Sequence, residues 1–327
     1  MSGLLALSLT MLRYRVAMMV WMFMLLGSAF QDGLSTLGWD HLWAAIALGC
    51  SYVAATTVND VADKSVDLIN HPGDEGRPLV TGEATERDLY MVHVSAAVVA
   101  IVTAALVGWP AVGIIILSLL IGHAYSLGPV RLSYRTFLAP AVLAIAYVLL
   151  PYLLGVVVSG APFGADDALL SGGLVALFVS RINLKDFRDR DGDAMYGKPT
   201  LLLRFGKQTT CLVSVVALIA GNLLLLAALE PFWFIALSMQ CFVAAIAYML
   251  LMLWRANEGR SEQLAIGTGA RMGNGLLILV LGLLVLQSRG ASLQEEILFA
   301  LSFTLLFALG FLALTSRPDQ VVIGYKG

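Results

Sequence analysis

Charge is scarce in this sequence. Of 327 residues only 20 are Lys or Arg and 22 are Asp or Glu, 13% in all, against 59% hydrophobic residues and a mean hydropathy of +0.85. So few charged side chains cannot cover the apolar content of a water-soluble domain of this length, and that class is excluded. Cysteine is scarce as well. Cys50, Cys211 and Cys241 all fall inside apolar runs, which argues against a disulfide framework or a structural zinc site. Only four His are present, and His93 and His123 sit in apolar stretches where they read as packed or interfacial groups rather than ligands. Short segments of alternating polarity, the mark of a membrane β-barrel, are absent, because the apolar runs are continuous and carry Gly and Ala throughout.

What is there is a series of ten apolar runs, at 14–31, 42–59, 90–108, 110–126, 136–159, 167–185, 208–229, 232–254, 266–287 and 296–315. Each approaches the length of about 20 residues that a helix needs to cross the hydrocarbon. The expected fold is an all-α integral membrane bundle of nine or ten helices, forming one polytopic domain over 1–327. Lys and Arg fall almost wholly on the side of the first run's start, 19 of the 20, with only Arg289 opposite. That side is expected to be cytoplasmic, in a bacterial-type cytoplasmic membrane. The first run resembles a signal peptide in having Arg13 and Arg15 before it and Gly27-Ser28-Ala29 near its end, but the apolar stretch LLALSLTML precedes those arginines, so the run is read as a retained span.

The connections are unequal. Those on the side opposite the arginines are short, whereas two on the basic side, about Asn59 to Leu89 and about Asp186 to Lys207, are long and polar. In NDVADKSVD, Asn59, Asp63 and Asp67 stand four apart, so on a continuing helix they share a face, drifting about 40° per step. In NLKDFRDRDGD, Asp186, Asp189 and Asp193 stand at i, i+3 and i+7, again one helical stripe, with Asp191 pointing elsewhere. Asp63 and Asp67 recur 126 residues later as Asp189 and Asp193, and each pair is followed by Gly, a base and Pro, in GRPLVTG at 76–82 and GKPTLLLRFG at 197–206. This points to a duplication, with halves at about 14–126 and 136–254 and extra C-terminal helices at about 266–315. Either stripe alone reads equally well as a solvated face; two matching stripes with matching tails do not.

Two facing acidic stripes repel each other unless cations lie between them, and an all-oxygen donor set with Asn59 beside the carboxylates suits Mg²⁺. Mg²⁺ takes few protein carboxylates and shares its remaining positions with phosphate oxygens, so a Mg²⁺-diphosphate is the natural ligand. Arg77, Arg131, Lys185 and Lys198 are placed to neutralise a departing diphosphate, although Arg131 and Arg135 read equally well as membrane-face anchors. An allylic carbon on that diphosphate would ionise and be captured by a nucleophile. The DRDGD segment echoes a calcium loop, but Thr200 stands where its twelfth-position Glu would be.

The two motifs resemble the N-x-x-x-D-x-x-x-D and D-x-x-D-x-x-x-D signatures of the UbiA superfamily of intramembrane prenyltransferases, and GRPLVTG, YSLGPVRLSYR and GKPTLLLRFG resemble its flanking segments over roughly residues 10–290. The resemblance implies Mg²⁺, as two ions bridging a diphosphate on Asp63, Asp67, Asp189 and Asp193, with Asn59 and Asp186 completing the catalytic set. It implies phosphate contacts from Arg77 and Arg131. Tyr125, which by position alone reads as an interfacial aromatic, would face the allylic carbon. The implied partners are a prenyl diphosphate, a lipophilic acceptor and membrane lipids, with no nucleic acid. The wording of the second motif is similar to that of members acting on lipid or chlorophyll-type acceptors rather than 4-hydroxybenzoate. That family has nine spans, where this sequence yields ten. Two other readings remain: a UbiA-type terpene cyclase using the same site without an acceptor, and a cation-coupled transporter, whose acidic groups would more commonly lie near the bilayer midplane. A CDP-alcohol phosphotransferase would need an Asp-Gly…Ala-Arg pattern that is not present.

Overall fold

The computed structural model describes residues 3–35, 37–257 and 259–317. All regular structure among them is helical. A short helix, α1 (Leu4–Met11), meets α2 (Tyr14–Asp32) at a 67° bend, with Arg13 in a left-handed conformation at the corner. There follow α3 (Trp39–Asn70), the single turn α4 (Pro78–Thr81), α5 (Glu86–Val107) and α6 (Trp109–Ser126). Next, α7 (Leu138–Ala144) and α8 (Leu150–Ser159) join through a π turn into one span. Pro151 cannot donate to the carbonyl one turn before it, and the helix widens there. Then come α9 (Ala165–Ile182), the short α10 (Arg190–Met195), α11 (Leu201–Leu229), α12 (Trp233–Arg255), α13 (Gly259–Ser288) and α14 (Leu293–Ser316). Among the described residues nine helical segments are long and apolar enough to cross a membrane, and ten if the bent pair α1 and α2 is counted, matching the ten runs in the sequence.

Sequence chemistry marks the helix ends. Thr85 and Asp88 form a capping box at the start of α5, and Ser292 and Glu295 do the same for α14. Packing between spans depends on small residues, as in lipid no hydrophobic force drives helices together. A Cβ on Gly155 of α8 would stand 1.9 Å from the Met24 carbonyl oxygen of α2, and one on Gly27 of α2 would stand 2.2 Å from that of Tyr152. The two backbones therefore touch, and only glycine permits it. The main core gathers residues of α2, α8, α9, α11, α12 and α13, including Tyr152, Leu170, Leu218, Met239 and Leu279, all buried. The last helix, α14, is different: only 6% of its apolar stretch is buried, and it docks through Phe303 and Phe307 against Phe242 of α12 while Leu298, Leu305 and Leu309 face outward.

The first polar connection is shorter than its apolar run suggests, because α3 continues from its expected end at 59 to Asn70. In the second, a helical turn from Leu201 ends at Gly206, whose non-helical backbone (φ 81°, ψ 173°) kinks α11, and the span resumes at Lys207, beside the expected start at 208. The acidic residues of both connections lie on ordered elements.

Candidate functional site

Because α3 runs on past the apolar stretch, Asn59, Asp63 and Asp67 fall on one face, as their spacing predicts, and all three line a cavity of about 890 Å³. Asn59 donates to Asp63 through Nδ2 at 3.1 Å, so the lowest rung of the stripe orients the next.

The second motif reaches the same cavity by a different route. Instead of one helical stripe, Asn183–Phe187 tighten into a 3-10 turn and Asp189 stands just before the short α10, with no capping hydrogen bond from its side chain. This break turns Asp186 aside: it is buried but does not line the cavity, whereas Asp189 and Asp193 do. The two motifs are bolted together at the corner. The Gly192 backbone N–H donates to Asn70 Oδ1 at 2.7 Å, and His71 Nε2 stands 3.1 Å from Asp189 Oδ1. Neither Asn70 nor His71 belongs to the acidic pattern, which is why the spacing did not single them out; their only signal is position, directly after the stripe.

Every acidic group has a basic neighbour. Arg77 hydrogen-bonds Asp67 and stands 3.5 Å from Asp60; Arg131 Nη2 lies 3.6 Å from Asp63 Oδ1 and stacks its guanidinium over Tyr134 at 3.9 Å; Lys198 donates to Asp193 at 3.2 Å. Lys185 donates to the Tyr125 hydroxyl at 3.4 Å, and both line the cavity. Of the four bases singled out from sequence, Arg77, Lys185 and Lys198 line the cavity, and Arg131 reaches it through Asp63. Arg13, legible only as a membrane-face charge, donates through the single nitrogen Nη2 to both oxygens of the buried Asp60, each at 2.7 Å.

The field is uneven across the second motif. Burial alone would raise the Asp189 carboxyl, but His71, Arg188 and Lys185 outweigh it and hold the group well below the usual carboxylate range. Burial pushes the Asp193 carboxyl up, further than Lys198 pulls it down. Burial and the adjoining Lys185 oppose charge on Lys198, yet Asp63 and Asp193 together keep its pKa above the ordinary lysine value. Lys198 thus answers to both motifs.

Among the described residues no three His, Cys, Asp or Glu side chains converge closely enough to cage a metal alone. The donor chemistry nevertheless fits a hard cation that draws part of its shell from a ligand. Asp63 Oδ1 and Asp193 Oδ2 are buried without a hydrogen-bond partner, one on each motif, and both residues line the cavity. Away from this polar end the cavity wall turns apolar, with Leu48, Ala55, Ile121, Tyr147 and Phe178 along it.

The chain matches the UbiA prenyltransferase family over residues 20–275. It is 26% identical to the bacteriochlorophyll synthase 34 kDa chain of Chloroflexus aurantiacus, over 52% of this chain and 56% of that one. It is 28% identical to the digeranylgeranylglyceryl phosphate synthase of Pyrococcus horikoshii, over 58% of this chain and 64% of that one. The chain therefore spans 56% to 64% of the length of these two relatives. The structure of a UbiA homologue from Archaeoglobus fulgidus bound to DMAPP and Mg²⁺ superposes with a TM-score of 0.58 at 16% identity, covering 94% of this chain and 99% of that one. That likeness is one of fold, and with the family match over more than half of the sequence it leaves a single assignment: the chain belongs to the UbiA prenyltransferase family.

Proposed function

We propose that the protein is a Mg²⁺-dependent prenyltransferase that moves an isoprenyl group from an allylic prenyl diphosphate to a lipophilic acceptor, with its polar end facing the cytoplasm. The observation that carries this reading is the shape and chemistry of one cavity: two acidic motifs with an orphaned buried carboxylate oxygen each at one end, and an apolar wall beyond. A diphosphate with a hydrocarbon tail has that same division. The relatives support the direction, since those two are named as a bacteriochlorophyll synthase chain and a digeranylgeranylglyceryl phosphate synthase, and the Archaeoglobus homologue was solved with DMAPP and Mg²⁺.

In this reading Asp63, Asp67, Asp189 and Asp193 would hold the metal, as two ions, with Asn59 orienting Asp63. Bound there, Mg²⁺ would supply charge neutralisation for the departing diphosphate. Arg77, Lys185 and Lys198 would take the remaining phosphate charge, and each is already held near a carboxylate or hydroxyl that fixes its direction. Asp186, off the cavity wall, would act from behind it, as a negative charge interacting with Lys185 and Lys198. The Tyr125 hydroxyl, fixed by Lys185, would face the carbon that loses the diphosphate, and Tyr147 and Phe178 would shield it from water.

Incubating the purified protein with farnesyl or geranylgeranyl diphosphate and Mg²⁺, with and without a membrane-lipid extract, tests the reading. Transfer requires diphosphate release that the extract accelerates and a new prenylated lipid in the products. A cyclic hydrocarbon formed at the same rate without extract would replace transfer by cyclisation.

A further inference from the structure

Glu262 stands in the first turn of α13, where an acidic residue is ordinary because the helix N-terminus favours negative charge. Such residues are commonly exposed. Glu262 is only 7% exposed and holds two bases at once: its Oε2 accepts from Arg190 Nη2 at 3.1 Å and its Oε1 from Lys207 Nζ at 2.9 Å. It does not line the cavity, although the next residue, Gln263, does. The carboxylate therefore works from behind the wall.

The two bases come from different elements, and one of them belongs to the second motif. Arg190 opens α10 between Asp189 and Asp193, the two acids that this motif sends to the cavity, and its guanidinium also lies over Phe187 at 5.5 Å. Lys207 resumes α11 after the kink at Gly206 and donates to the Ala256 carbonyl at the end of α12 as well as to Glu262. Glu262 is thus anchored to α11 and α12 and carries that anchorage to α10.

Such an anchor is what α10 needs. Six residues make too little helix to be stable alone, no side chain caps its start, and its two carboxylates enter a cavity that already holds Asp63 and Asp67. From α3, Asn70 accepts the Gly192 N–H at 2.7 Å and His71 stands 3.1 Å from Asp189. From α13, the tie is the Arg190–Glu262 pair.

We propose that Glu262 is a positioning residue for the second acidic motif: by clamping Arg190 and Lys207 together it presets α10, so that Asp189 and Asp193 are in place before a cation arrives. The role rests on the metal-diphosphate reading, while the clamp can be tested apart from it. With the clamp gone, metal binding would itself have to order α10, and the cost would appear in the metal requirement. Glu262 touches neither metal nor phosphate in this account, so the diphosphate should be held as before once metal is saturating.

The test titrates Mg²⁺ into full-length protein in nanodiscs with geranylgeranyl thiolodiphosphate, and follows amide hydrogen exchange of the same samples without metal. Glu262→Gln should raise the Mg²⁺ concentration for half-maximal thiolodiphosphate binding by about five-fold or more, and saturating Mg²⁺ should bring the affinity back to within about two-fold of wild type. Glu262→Asp, which keeps the charge on a shorter side chain, should recover part of the shift. Arg190→Gln should shift the requirement in the same direction, and combining it with Glu262→Gln should add little, because the two act as one unit. In the exchange measurement, amides 190–196 should open about five-fold or more faster in Glu262→Gln while those of 60–67 keep their rate. Arg190 and Lys207 are 42% and 24% exposed, so water receives them when the carboxylate is lost, and the variant should fold. A merely structural role would lower stability without moving the Mg²⁺ requirement. An unchanged requirement, an affinity loss that saturating Mg²⁺ does not restore, or fully additive shifts from Arg190→Gln and Glu262→Gln would overturn the proposal. If the wild type shows no Mg²⁺-dependent binding, the metal-diphosphate reading falls, and unchanged exchange at 190–196 in Glu262→Gln would separately overturn the clamp.

Discussion

Asp60 and Asp63 stand three residues apart on α3, yet replacing each by Asn should have unequal consequences for stability. Asp60 is 2% exposed, with both oxygens 2.7 Å from Arg13 Nη2 and one 3.5 Å from Arg77. Removing one member of a buried ion pair costs about 3–5 kcal/mol, because the survivor is left charged and dry. Here the loss is smaller. Arg77 keeps Asp67, Arg13 is 13% exposed, and an Asn oxygen still accepts one hydrogen bond, so Asp60→Asn should cost about 2–3 kcal/mol. Asp63→Asn should cost less than about 1 kcal/mol, since its ion-pair partner Arg131 is half exposed and 3.6 Å away, one of its oxygens accepts no hydrogen bond, and the lost charge also repelled Asp67. Reversible unfolding in mixed detergent micelles measures both. Adding Arg13→Gln to Asp60→Asn should recover at least about 1 kcal/mol, as the stranded charge is then gone. An Asp60→Asn protein within about 0.5 kcal/mol of wild type, or strictly additive double-variant losses, would refute the structural role of this pair.

Gly155→Val should destabilise by about 1–3 kcal/mol or more and splay α8 from α2, because its first side-chain carbon already meets the Met24 carbonyl; unfolding of the variant beside Gly113→Val, which has open space around it, checks the contrast. Single cysteines at Val130 and Phe163, in a background lacking Cys50, Cys211 and Cys241, should label from opposite membrane faces, Val130 from the cytoplasm. Labelling of both from one face would break the span assignment.

Apolar run length carried most of the fold, and it did so because lipid leaves the backbone no alternative to helix. What it hid was where helices end. The apolar residues between Val61 and Asn70 are too broken up by Asp63, Lys64 and Asp67 to read as membrane span, but that extension of α3 is what makes Asn59, Asp63 and Asp67 a working face. The same reasoning misled for Asp186: its spacing from Asp189 and Asp193 presumes an unbroken helix, and the 3-10 turn there rotates it off the cavity. Arg13 was legible only as a membrane-face charge, because its partner Asp60 lies 47 residues away. The tenth span showed in composition, but its loose docking through a stack of phenylalanines did not.

The most direct test of the two-motif site is equilibrium binding of radiolabelled geranylgeranyl thiolodiphosphate to wild type, Asp63→Asn and Asp189→Asn, each with Mg²⁺ and with chelator. The wild type should bind only with Mg²⁺, gaining about 2.7 kcal/mol of stability at a ligand concentration of 100 times its Kd. Each variant should lose affinity by about ten-fold or more, because each removes a donor from a different motif while leaving the fold intact. Binding that persists in chelator, or that depends on Asp63 and not on Asp189, would contradict a diphosphate held between the two motifs.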